Sequence, residues 1–189
     1  MRNSFSRPAL RALALSLPVA AIGLAFFASS LASATTLTGV TDQISIQETG
    51  GKLKFVFPST VTQGDQLEIV NETNPKKVGP HTFSLVTKGS VPNTKNARKN
   101  CFTPNHICLS IAKWHGFNPK TEKISINPAT AGPEGWSTAG SVSKKGDSWF
   151  TEKKGETLSQ EVTAKPGTLY FMCAVHPWMH GKVTVLPGS

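Results

Sequence analysis

Cys173, His176 and Met179 fall within seven residues of one another in Tyr170-Phe-Met-Cys-Ala-Val-His-Pro-Trp-Met-His180, a stretch flanked by two short runs of β pattern. A thiolate, an imidazole and a thioether make a soft, mixed donor set that suits copper better than magnesium, calcium or structural zinc. A trigonal copper site needs a second imidazole. His81, in Gly79-Pro-His-Thr-Phe-Ser-Leu-Val86, is the best placed, because it too opens a strand-like segment. The residue types therefore predict a metal site built from His81, Cys173, His176 and Met179.

The other cysteines support this division of labour. Cys101 and Cys108 have six residues between them in a loop-like region, and in an oxidising compartment such a pair is expected to form a disulfide. Cys173 is then left over, and metal ligation accounts for an unpaired thiol followed so closely by histidine and methionine.

The elements that must position these residues are strands. Ile44 and Ile46 alternate with polar residues, as do Leu53, Phe55 and Phe57 before Pro58. Leu67 and Ile69, then His81, Phe83 and Leu85, continue the pattern; Leu158, Gln160 and Val162 form a weaker run. Leu169, Phe171 and Cys173 follow, and Val183 with Val185 end the series. Period-two alternation with short Gly, Pro, Asn and Asp breaks predicts an all-β sandwich of two sheets. No stretch after the N-terminal region carries a long helical period. Residues 88–146, rich in Lys, Asn, Pro, Gly and Ser, read as a long irregular insertion with short apolar runs at 107–111 and 124–126. Trp114, Phe117, Trp136 and Trp149 are expected to pin parts of it to the sandwich.

Parity within the strands supports the ligand set. His81 shares a face with Phe83 and Leu85, and Cys173 shares one with Leu169 and Phe171, so both donors point inward if those apolar residues do. His81 begins its strand and Cys173 ends its own. Antiparallel neighbours bring two such points to the same end of the sandwich, although 92 positions separate them. Pro177 stiffens the turn that carries His176 and Met179, and Gly181 lets the chain enter the last strand. A short ligand loop held between rigid strands resists rearrangement when a metal changes charge, which is what fast electron transfer requires.

Residues 1–34 have the form of an export signal: Arg2, Arg7 and Arg11, then an apolar stretch from Leu13 to about Ala28, then Ala32-Ser-Ala34. Cleavage there would leave residues 35–189 as a single domain. Three of the chain's 20 basic residues lie in the signal, leaving 17 against 11 acidic ones, a net of +6. Nearly all are lysines scattered along the chain. Nucleic-acid binding favours a focused basic patch, so a solvated lysine surface is expected, one that speeds encounter with an acidic or membrane-associated partner.

The segment Tyr170–Met179 followed by Gly181-Lys-Val-Thr-Val185 resembles the C-terminal signature of cupredoxins, the blue copper proteins. Its Cys-x2-His-x2-Met spacing is most similar to the amicyanin type, with a tighter loop than plastocyanin's. Phe57-Pro-Ser-Thr-Val-Thr-Gln-Gly-Asp65 with Leu67-Glu-Ile-Val-Asn71 resembles the family's early strands, and Gly79-Pro-His81 its first histidine motif. The likeness spans about residues 41–87 and 147–189. It implies a Greek-key β-sandwich with one type 1 copper, held by His81, Cys173 and His176 in a plane and by Met179 axially. It implies a periplasmic or secreted monomer that carries single electrons between redox partners, with His176 as the exit. A copper-binding or delivery protein without rapid cycling is the alternative. Two features depart from the family: Thr82 stands where an Asn often ties the ligand loops together, and the segment between His81 and Cys173 is much longer.

Neighbouring residues read differently. His180 would give a harder donor than Met179, but adjacent residues near a strand start point to opposite sides, and the family pattern puts Met179 inward. His106 and His115 lack a matching carboxylate or ligand spacing and read as surface or structural residues. Met172 falls out of phase with Cys173 and reads as packing; Trp178 reads as part of an apolar rim beside His176. There is no Ser-His-Asp order around a Gly-flanked nucleophile and no phosphate-cradling glycine loop, and four protein ligands would leave no open metal position, so an enzyme is not expected.

Overall fold

The computed structural model describes residues 40–121 and 129–188. The export signal expected over residues 1–34, and the apolar run at 124–126, lie outside the described residues.

Strand β1 (Thr41–Thr49) turns into β2 (Lys52–Val56) through Gly50 and Gly51, both at positive φ. Two left-handed central residues are what the tight hairpin whose twist matches its strands requires, and glycine adopts them without strain. On its other side β1 runs parallel to β4 (Gln66–Asn71), which pairs antiparallel with β8 (Thr157–Glu161). The second sheet has β3 (Thr60–Thr62) parallel to β10 (His180–Leu186), then β9 (Gly167–Met172), β5 (His81–Val86), β7 (Ser148–Thr151) and β6 (Thr130–Ala131). The expected strands are all present. Strands β6 and β7 were not legible, because Ser-Trp-Phe-Thr carries bulky residues on both faces and shows no alternation; β7 is covered on both sides.

The core lies between the sheets. Ile44, Ile46, Leu67 and Ile69 meet Phe83, Leu85, Phe171, Val183 and Val185 there. Phe83 sits among Phe55, Phe171 and Trp136 at ring distances of 5.9, 5.0 and 5.0 Å. The Trp136 indole N–H donates to the Leu67 carbonyl at 3.1 Å, so this part of the insertion is anchored inside the sandwich.

The insertion is less irregular than its composition predicts. It contains a 3-10 turn at Lys88–Ser90 and two helices, here α2 (Lys95–Lys99) and α3 (Ile107–Trp114), the four-residue α1 (Pro75–Val78) lying before β5. Ile107, Ile111 and Trp114 do fall at helical spacing, but one helix of eight residues is too short to stand out in a glycine- and lysine-rich background. They pack with Val86, Met172 and Ala174 into a second, smaller core on the outer face of the β5–β9 sheet. Strand β5 is consequently buried at every position, one face against the sandwich and the other under the insertion. Met172 is packing, as its phase indicates.

Cys101 and Cys108 form a disulfide inside this second core. Closing so short a loop stabilises the fold by about 2–3 kcal/mol in the chain-entropy account. The double Cys101→Ala, Cys108→Ala variant is expected to lose that much in urea unfolding; an unchanged midpoint would mean that helix packing alone fixes the loop.

Candidate metal centre

His81 and the Cys173 loop meet because β5 and β9 are antiparallel neighbours whose register pairs Ser84 with Met172. Continuing that register takes Cys173 to the level of Phe83, two residues from His81. One ring nitrogen from each of His81 and His176 and the Cys173 sulfur lie within 4.8 Å of one another. The sulfur is 3.9 Å from His81 Nδ1 and 3.7 Å from His176 Nδ1. The loop itself is tight: the Cys173 N–H donates to the Met179 carbonyl at 2.9 Å, and the Met179 N–H donates to the His176 carbonyl at 2.8 Å. Pro177 and the two bonds leave it little freedom. Met179 is 2% exposed and packs in the main core with Cys173.

Hydrogen bonding assigns the tautomers. Thr73 Oγ1 spends its proton on Asn71 Oδ1 at 2.7 Å, so it accepts from His81 Nε2–H at 3.0 Å. Asn71 is held in turn through its amide on Thr151 Oγ1, which donates to Glu156. His176 Nε2 lies 2.9 Å from the Val78 carbonyl, which only accepts, so this nitrogen also carries a proton. Both Nδ1 atoms are then bare lone pairs, each facing the same thiol. Outer partners that fix the tautomer of a donor imidazole are the usual support of a metal site. An ion about 2.0–2.3 Å from each donor would bridge separations of the size seen between sulfur and nitrogen. The residues fit a soft metal.

Burial sets the electrostatics. His81 is fully buried, and its pKa is pushed from 6.5 to about 4, chiefly by lost hydration and secondly by the neighbouring His176. His176 is lowered by burial too, against the opposing pull of the Val78 carbonyl. Burial raises the Cys173 thiol, while hydrogen bonds from the backbone of Thr82, His176 and Val175 and from the Thr82 hydroxyl favour its thiolate. In metal-free protein the unfolded chain takes up a proton near pH 6.5, whereas folded His81 stays neutral down to about 4. The His81 contribution to the stability of the metal-free form should therefore be level above about pH 7 and fall between pH 6.5 and 4, by about 3 kcal/mol. Urea unfolding across that range checks it; a flat profile would refute the buried neutral pair.

Thr82 ties β5 to the Cys173 loop. Its N–H donates to Cys173 Sγ at 3.3 Å, and its Oγ1 accepts the Ala174 N–H at 2.8 Å. A short side chain suffices because β5 and the Cys173 loop are adjacent here. His180 is turned away: it begins β10 opposite Met172, near Arg98, and lines a surface cleft with Tyr170 and Lys182. His176 is more covered than an exposed loop suggests, at 7% exposure; the exposed ring is Trp178, whose centroid lies 5.1 Å from it. Gly181 serves close packing rather than a bend, since a Cβ there would meet the Phe171 ring at 2.6 Å. His106 bonds locally to Thr103 and Pro104. His115, unremarkable in sequence, is 1% exposed and bonds Ser148 under β5.

No family model and no curated protein matches the chain. Among solved structures it is similar to auracyanin A, a "blue" copper protein from Chloroflexus aurantiacus, at 20% identity over 78% of this chain and 99% of that one, with a TM-score of 0.40. Amicyanin from Paracoccus versutus is similar at 15% identity over 77% and 81%, with a TM-score of 0.38. A purple cupredoxin from Nitrosopumilus maritimus is similar at 14% identity over 77% and 99%, with a TM-score of 0.35. What the chain itself shows is two sheets with a His-Cys-His cluster at the end of β5 and β9.

Proposed function

We propose that this chain is an exported type 1 copper protein that carries single electrons, with residues 1–34 as its signal and 35–189 as its one domain. The observation that carries the reading is the pair of bare Nδ1 atoms converging on a buried thiol, each imidazole fixed from behind by a hydrogen bond. Bound copper supplies a one-electron Cu(II)/Cu(I) couple. His81, Cys173, His176 and Met179 would hold it, a donor set that suits both oxidation states. The buried loop and its backbone bonds hold these donors in place, so that little rearranges as charge changes. Trp178 and the edge of His176 form the exit to a partner, and the lysine-rich surface favours an acidic one.

The delivery alternative differs in what happens on reduction. Voltammetry of the copper-loaded protein should give a reversible one-electron wave with copper retained. Release of copper to a chelator upon reduction would favour delivery and overturn the carrier reading.

A further inference from the structure

Between the margin of the insertion and the outer face of the last strand lies a surface cleft of about 620 Å³. Leu169, Phe171, Val183 and Val185 pack in the main core, so their strand neighbours Tyr170 and Lys182 lie on the outer face, directly opposite one another in the β9–β10 register. The insertion packs on Met172 from this side, with Val91 and the half-buried Tyr170 against its margin, and leaves Lys182 and Thr184 exposed. Phe57 closes the floor. A Cβ at Gly181 would meet its ring at 2.8 Å, so the glycine makes room for it.

The chemistry of the walls is one-sided. Lys88 stands on the insertion side and Lys182 on the β10 side, both exposed, and among the described residues no aspartate or glutamate lines the cleft. Phe57, Val91 and Tyr170 form an apolar strip between them. A carboxylate is attracted by both ammonium groups, whereas a cation or a neutral apolar molecule leaves them uncompensated. The β10 lining runs from His180 to Thr184, four steps of strand or about 13 Å. That length matches about four residues of extended chain, with acidic side chains on the lysines and apolar ones on the strip. A single small anion would cover only part of it.

We propose that this cleft is the docking site for an extended acidic segment of a partner protein. That the partner exchanges electrons with the chain rests on the carrier reading above. His180 lines the cleft and directly follows Met179, so a segment held here sits on the strand that leaves the ligand loop. The scattered lysines speed encounter, and the two in the cleft fix the pose. The insertion thereby acquires a role, since Lys88 and Val91 belong to the wall it supplies.

Titrating ¹⁵N-labelled, copper-free protein with the peptide Glu-Phe-Glu-Asp-Phe-Glu tests it, with benzoate as the small-anion probe. The peptide should shift the amides of Lys88, Asn93, Tyr170 and Lys182, and should bind about tenfold more weakly at high salt. The Lys88→Glu, Lys182→Glu double variant should bind it at least about tenfold more weakly than the parent. Lys54→Glu with Lys165→Glu has the same net charge, changes two exposed lysines outside the cleft, and should stay within about twofold of the parent. Equal losses in the two pairs, or no shifts in the cleft, would overturn the docking site. Benzoate that reproduces every shift and displaces the peptide at equal concentration would overturn the segment in favour of a small anion. None of these readings needs copper. If the cleft takes the peptide but the loaded parent shows no sulfur-to-copper band, the carrier reading fails and the docking site stands; if the band forms and the cleft shifts are missing, the docking site fails alone.

Discussion

Replacing Cys173 by Ser should abolish the intense visible absorption of the copper-loaded protein while leaving the sandwich folded. The intensity of such a band comes from charge transfer between a thiolate and copper, and a serine hydroxyl neither ionises near neutral pH nor matches the softness of sulfur. The fold should tolerate the change because the smaller oxygen can accept the Thr82 N–H that the sulfur now accepts. Unfolding of the metal-free variant is expected within about 1 kcal/mol of the parent, the usual size of one neutral hydrogen bond. A variant that keeps its colour would remove Cys173 from the ligand set.

Phe83→Ala should have the opposite signature, a large loss of stability. Phe83 is fully buried and its ring is packed by three other aromatic rings drawn from both sheets and from the insertion. Truncating a buried phenylalanine leaves a cavity and costs about 3–5 kcal/mol. The same strand carries His81 two positions away, so copper affinity should fall as well, through loosened donor placement. Urea unfolding without metal reads the first effect, and a copper titration under conditions where the variant is folded reads the second. A loss below about 1 kcal/mol would mean that the core is not centred on this cluster.

Why the clustering of His81, Cys173 and His176 was legible in sequence, and parts of its surroundings were not, follows from how each is encoded. Cys173, His176 and Met179 are close in the chain, and their donor chemistry is written in residue type. His81 was reachable because strand parity and an antiparallel pairing are local rules with a long-range consequence. Helix α3 was missed because its apolar period spans barely two turns, and β7 because burial on both faces erases alternation. Thr82 read in sequence as a departure with a shorter reach than Asn; the adjacency of β5 to the Cys173 loop makes that reach sufficient. The buried contact of His115 with Ser148 was not legible either, because it needs β7 to be paired with β5. Hydrogen-bond direction is a property of the assembled network and has no signature along the chain.

The copper reading requires two neutral imidazoles and one thiolate to converge on a single ion. Titrating the metal-free protein with Cu(II) while recording absorption and electron paramagnetic resonance spectra decides whether they do. One equivalent should produce an intense visible band and a signal with the small copper hyperfine splitting of a thiolate-bound site. Saturation without that band, or a spectrum typical of copper held by nitrogen and oxygen alone, would contradict it.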